Sequence, residues 1–237
     1  MEKYITIPTS DWFEIKWVLN WEEKYEKLII IVHGLTGSMT EAHYYAAKEY
    51  FVWKWFEVFR FNLYTDWKNT RKLNSCSVTN HSQDISTVLD FFKDYKETHI
   101  MSHSLGWPSV SGVLEYPKNI EKIVFWDPAF DMTQRATKCY FKNESIYTTI
   151  SGKEIEISQE MYREFTEGTF LDILQKQRFP TNRMFAIYAD NGGHIIHKED
   201  TDILWIESYI IEWANHWFTQ EWKYKELFDQ TLHYIEK

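Results

Sequence analysis

Along the chain, short apolar runs alternate with longer segments whose apolar residues recur every three or four positions. That alternation of strand-like and helix-like periods predicts a mostly parallel sheet with helices on both faces. Residues 3–8 and 13–19 read as an opening antiparallel pair. Lys27–Val32, KLIIIV, has no polar alternation and so reads as a strand buried on both sides. A helix is expected near 41–51, a strand near 56–63, a helix near 82–94, a short strand at 97–101 and a helix from about Leu105. Ile123–Trp126 reads as another buried strand, and the pattern resumes with strands at Arg183–Ala189 and 208–213 and an amphipathic helix over 219–235. Residues 129–180 interrupt the rhythm with mixed, charged, aromatic-dotted sequence, predicting a small cap inserted into a single domain spanning 1–237.

Composition narrows the function classes. With 26 basic against 35 acidic residues the formal charge is −9, and no basic stripe relieves it, which argues against nucleic acid as a partner. No run of about 18 apolar residues occurs, so no membrane span is expected. The two cysteines, Cys76 and Cys139, lack the spacing of a disulfide framework or a thiolate zinc site and read as reduced thiols of a cytoplasmic protein. Asp190, His194 and His197 match no standard ligand spacing, so neither metal nor cofactor is expected. Tryptophans number 12 and glycines only 8, so each glycine is expected to mark a backbone necessity.

Candidate chemistry concentrates in three places. In His99–Pro108, HIMSHSLGWP, a strand runs into Ser102-His103-Ser104-Leu105-Gly106 and then a helix, a near match to the G-x-S-x-G turn that lifts a serine oxygen clear of a sheet. Ser104 is the expected nucleophile. The strand at 27–32 runs into His33-Gly34-Leu35-Thr36-Gly37, where glycines allow close backbone approach. The N–H groups of Leu35 and Leu105 are the expected donors to an oxyanion, and a positive φ is expected at Gly34 or Gly37. A serine needs a base, and in this chain order the base follows the acid. His216, just beyond the last expected strand, is the candidate. Its orienting carboxylate is read as Asp190, at the end of the strand 183–189, with Asp127, after the strand ending at Trp126, as the alternative.

These motifs together resemble the α/β-hydrolase superfamily: HGLTG after the third strand, SHSLG after the fifth, NHWF before the last helix. HGLTGS followed by FRFNLY is most similar to bacterial cinnamoyl/feruloyl esterases, monoacylglycerol-lipase-type hydrolases and the acyl-protein thioesterase of luminous bacteria. The resemblance implies a Ser-His-Asp triad, an acyl-enzyme intermediate, no cofactor and a small-molecule ester as substrate. Acyl-carrier-protein or coenzyme A thioesters are the alternative substrates, and a ligand-binding protein that has lost its acid is the non-catalytic alternative. The chain departs from the pattern at Ser102 and Trp107, where such esterases carry glycines in G-H-S-x-G-G. It departs again at Gly192-Gly193, where they place an acid.

Overall fold

The computed structural model describes residues 1–21, 25–129, 141–148, 152–167, 179–193, 198–220 and 222–237. Eight strands form one sheet in the order β1-β2-β4-β3-β5-β6-β10-β11. They are β1 (Glu2–Pro8), β2 (Glu14–Asn20), β3 (Lys27–Val32), β4 (Glu57–Phe61), β5 (Glu97–His103), β6 (Ile120–Trp126), β10 (Met184–Asn191) and β11 (Glu207–Asn215). The first two strands pair antiparallel, β2 is antiparallel to β4, and every pairing from β4 to β11 is parallel.

The continuous apolar character of β3 follows from its place in this order. Leu28, Ile30 and Val32 join the core on one face of the sheet. Ile29 and Ile31 join the core on the other, against Tyr44, Ala47 and Phe51 of α1 (Ala42–Trp53) and Leu227 and Phe228 of α6 (Lys223–Ile235). The first face is covered by α2 (Val78–Phe91) and α3 (Gly106–Ser111). Helix α2 starts earlier than the periodicity of 82–94 predicts, because Ser77 and Asn80 form a capping box: Ser77 Oγ accepts from the Asn80 N–H, and Asn80 Oδ1 from the Ser77 N–H. Strand β5 likewise outruns its expected end at 101, since parallel pairing continues to Ser102 against β3 and to His103 against β6.

Between β6 and β10, the described residues hold a three-stranded antiparallel sheet, β7 (Phe141–Asn143), β8 (Ile146–Thr148) and β9 (Glu154–Glu156), and a helix α4 (Gln159–Glu167). Met161 and Phe165 of α4 are buried, and the Glu164 carboxylate accepts the N–H groups of Val78 and Thr79 at the start of α2. That puts negative charge where the unpaired amides of a helix begin. Helix α5 (Lys198–Ile203) precedes β11. No helix among the described residues is long and apolar enough to cross a membrane.

In chain order β3 is followed by its neighbour on one side, β4, while β5 is its neighbour on the other. The strand order therefore reverses at β3, and a crevice opens beyond the carboxyl ends of β3 and β5, the usual place for a ligand site in a sheet of this kind.

Candidate active site

Ser104 follows the last residue of β5 with φ +52°, a conformation a side chain adopts only where its surroundings enforce it. Three contacts do so. The Ser104 N–H donates to the Trp126 carbonyl at 2.9 Å. A methyl group on Gly106 would lie 3.0 Å from the carbonyl oxygens of both Val32 and His33, so only glycine lets α3 start so close to β3. A methyl on Gly34 would lie 2.9 Å from Ser104 Cβ. The glycines of both motifs are thus there for close approach. The positive φ expected at Gly34 or Gly37 instead falls on Thr36, at +65°, because the tight turn is closed by the Gly37 N–H donating to the Gly34 carbonyl at 3.1 Å.

That Gly34 carbonyl is held from three sides. Besides Gly37, it accepts from His33 Nδ1 at 2.8 Å and from the Tyr64 hydroxyl at 3.3 Å. The His33 tautomer follows from its other nitrogen: Nε2 accepts the Leu63 N–H at 2.9 Å, so the proton resides on Nδ1. Since the peptide is planar and trans, fixing the Gly34 C=O aims the Leu35 N–H the opposite way.

His216 lies just beyond β11, buried, with Nδ1 2.5 Å from Oδ2 of Asp127. Asp127, not Asp190, is the carboxylate on the imidazole. It follows β6 with φ +43° and is fully buried. Its N–H donates to the Ile187 carbonyl at 2.6 Å, and its Oδ1 accepts the Ala189 N–H at 3.0 Å. The carboxylate thereby takes the place of a main-chain carbonyl and prolongs the β6–β10 ladder by one step. Asp190 sits at the end of β10 beyond a register shift, half-exposed, and its Oδ1 accepts from Asn191 Nδ2 at 2.9 Å. His194 and His197 lie outside the described residues.

The glycine after β10 acquires a reason as well. A methyl on Gly192 would sit 2.2 Å from Asp127 Oδ2, so the missing side chain there makes room for the carboxylate from the neighbouring strand. Gly192→Ala is expected to displace the carboxylate from His216 and lower turnover about 100-fold. Unchanged activity in the variant would show that the pair tolerates the shift.

A second layer escaped the sequence reading. His103 Nε2 donates to the His216 carbonyl at 2.8 Å, and the Tyr44 hydroxyl is 3.2 Å from His103 Nδ1. The one sequence signal for it was a histidine standing between a buried strand and Ser104. Glu41, His43 and His103 bring metal-ligand atoms within 4.8 Å of one another, the one such group among the described residues. Both ring nitrogens of His103 are already engaged as just described, so the set fits a hydrogen-bonded cluster better than a cation site. Burial raises the Glu41 carboxyl to about 7, which also weakens it as a ligand near neutral pH.

Burial pushes several imidazoles below their ordinary 6.5: His216 and His33 to about 4, His81 to about 3 and His43 to about 2. All four are neutral at pH 7, and the unfolded chain would take up protons between 6.5 and these values that the folded chain refuses. The share of stability these four contribute is therefore full above pH 6.5 and lost as the pH falls, each histidine contributing about 1 kcal/mol per pH unit over its window, against which the raised Glu41 carboxyl, a single group, works in the opposite sense between 7 and 4.5. The urea midpoint is expected to drop steeply between pH 7 and pH 5; a flat profile would contradict the burial of these rings.

No protein-family model and no curated protein matches this chain. Solved structures do. Est1E from Butyrivibrio proteoclasticus with ferulic acid bound superposes with a TM-score of 0.78 at 18% identity, over 98% of this chain and 100% of that one. The chain has the α/β-hydrolase fold. The mouse alpha/beta hydrolase domain-containing protein 10 gives a TM-score of 0.76 at 12% identity, over 99% of this chain and 98% of that one. A dienelactone hydrolase from Anabaena variabilis gives 0.70 at 10%, over 100% and 97%. In this α/β-hydrolase fold, Ser104, Asp127 and His216 follow β5, β6 and β11, all at the carboxyl edge of the parallel strands.

Proposed function

We propose that the protein is a serine hydrolase of carboxylic esters, in which Ser104 attacks the acyl carbon and His216 is the general base. The observation that carries this reading is the buried contact of His216 Nδ1 with Asp127 at 2.5 Å. A carboxylate there keeps the proton on Nδ1 and leaves Nε2 as the basic nitrogen, and it stabilises the imidazolium formed when the serine proton is taken. The steps balance simply. The Ser104 oxygen adds to the ester carbonyl as its proton passes to His216; the tetrahedral oxyanion is met by the Leu35 and Leu105 N–H groups. Collapse expels the alcohol, which takes the proton back from His216, and water repeats the sequence to release the acid and free Ser104.

Backbone preorganisation supports the oxyanion assignment. The triply held Gly34 carbonyl fixes the Leu35 amide before substrate arrives, and such preset donors cost no reorganisation during reaction. Beside them lies an apolar cavity of about 10 Å³ lined in part by Leu35, Leu63, Leu105, Met161 and Phe165. A void of that size holds about one water and no acyl group, so in this reading it marks only the floor of the site, beside which the segment carrying α4 acts as a cap.

The test is hydrolysis of p-nitrophenyl acetate and butyrate alongside the matching acyl-thioesters. Turnover of the oxygen esters that is lost in His216→Ala upholds the reading. Thioester turnover with inert oxygen esters moves the substrate class, and absence of both refutes hydrolysis.

A further inference from the structure

We infer that His103, the residue before the nucleophile, is a positioning residue that holds the His216 loop in register with Ser104. The inference rests on the reading of Ser104 and His216 as nucleophile and base. His103 ends β5 and is 2% exposed. Its Nε2–H donates to the His216 carbonyl at 2.8 Å, and the rings of the two histidines lie 4.5 Å apart at 33°. A carbonyl can only accept, so the proton resides on Nε2, and Nδ1 faces the buried Tyr44 hydroxyl at 3.2 Å. The main chain on which the base is mounted is therefore tied to the residue adjoining the nucleophile, a link 113 residues long in sequence. Asp127 sets the rotation of the imidazole; His103 sets where its backbone stands.

Gln at 103 keeps an amide donor near the Nε2 position, whereas Leu keeps only bulk. With p-nitrophenyl acetate, His103→Leu is expected to lose about 10- to 100-fold in kcat at nearly constant KM, the size of effect a displacement of the order of 1 Å produces, and His103→Gln to recover most of it. A His103→Leu kcat within twofold of wild type, or a Gln variant as poor as the Leu one, overturns the role. Should His103→Leu not fold, Tyr44→Phe decides: reduced kcat at constant KM upholds it, unchanged kcat overturns it. A wild type without esterase activity or labelling by a fluorophosphonate instead fails the underlying reading.

Five tryptophans carry an independent inference. Of the ten non-glycine residues with positive φ among the described ones, five are Trp12, Trp55, Trp205, Trp213 and Trp222, at φ +58° to +70°. All five are exposed, from 66% to 92%, and apart from the edge-on contact of Trp55 with Tyr25 at 5.8 Å little packing offsets the strain of a Cβ in the left-handed region. Their settings are those that call for glycine. After α1, the Trp55 N–H donates to the Val52 carbonyl and the Phe56 N–H to that of Phe51; after α5, Trp205 bonds Asp202 and Ile206 bonds Thr201 in the same pattern. Both are Schellman endings with tryptophan at the left-handed position that glycine ordinarily fills. Trp12 occupies the tight β1–β2 turn, closed by Thr9 and Phe13. Trp213 interrupts β11 near the register shift against β10, and Trp222 opens α6 with no side-chain cap.

We infer that these are glycine positions, and that the polypeptide made in the cells the gene comes from carries glycine at them. One cause covers all five: the opal triplet UGA, which different translation systems read as stop, tryptophan or glycine. The same cause accounts for a chain with more tryptophans than glycines. The gene's triplets at the five positions and the masses of the corresponding peptides from those cells test it. Opal triplets with glycine peptides uphold it; UGG triplets or tryptophan peptides overturn it. In a recombinant chain, the five Trp→Gly replacements together are expected to raise Tm by about 10 °C, and a lower Tm would contradict the assignment of the backbone positions.

Discussion

Asp127→Asn is expected to lower ester turnover by about 10⁴-fold, the scale seen when the orienting carboxylate of such a triad becomes an amide, while Asp190→Asn leaves it within about threefold. The contrast follows from placement. Asp127 is fully buried with both oxygens used, one on His216 and one on the Ala189 amide. An asparagine there turns an acceptor into a donor on one side, so that either the imidazole takes the wrong tautomer or the β6–β10 ladder loses its last bond. Asp190 is half-exposed and bonded only to its neighbour among the described contacts, so its amide changes little. Steady-state kinetics on p-nitrophenyl acetate with both variants, at matched thermal stability, distinguishes the two acids. Equal losses, or a larger loss at Asp190, would overturn the assignment.

Ser104→Ala is expected to cost about 10⁵- to 10⁶-fold in kcat and to abolish labelling by a fluorophosphonate probe, since no acyl- or phosphonyl-enzyme can form without the hydroxyl. The same replacement bears on the fold. A positive φ at position 104 is enforced by the Gly34 and Gly106 contacts and not by the hydroxyl, so the alanine variant should melt close to wild type. Labelling of Ser104→Ala equal to wild type would move the nucleophile elsewhere.

The strands and the turn that carries Ser104 were legible because local sequence suffices for them. KLIIIV has one reading once it is buried on both faces, and a small residue must flank a serine on so sharp a bend. The start of α2 was missed because a Ser-x-x-Asn box at 77–80 outweighs hydrophobic periodicity in deciding where a helix begins. The carboxylate beside His216 was legible only as a choice between two. Asp127 follows β6 and Asp190 lies near the end of β10, strands that become neighbours and whose ends lie roughly 5 Å apart in any parallel sheet. What separates them is a positive φ at Asp127 and the absence of a side chain at Gly192; sequence spacing records neither. The ties from Tyr44 to His103 and from His103 to His216 span 59 and 113 residues and leave no local trace. The ligand-binding alternative is decided by the turnover assay, since a carboxylate on His216 is not itself activity.

The neutral histidines packed inside this fold have a calorimetric consequence. When the chain opens near pH 5, His33, His43, His81 and His216 return to their ordinary basicity and draw hydrogen ions from the medium. The heat absorbed on melting then includes the heat of ionising the buffer, so acetate and a buffer of high ionisation enthalpy, matched in pH and ionic strength, report different apparent enthalpies for one and the same transition.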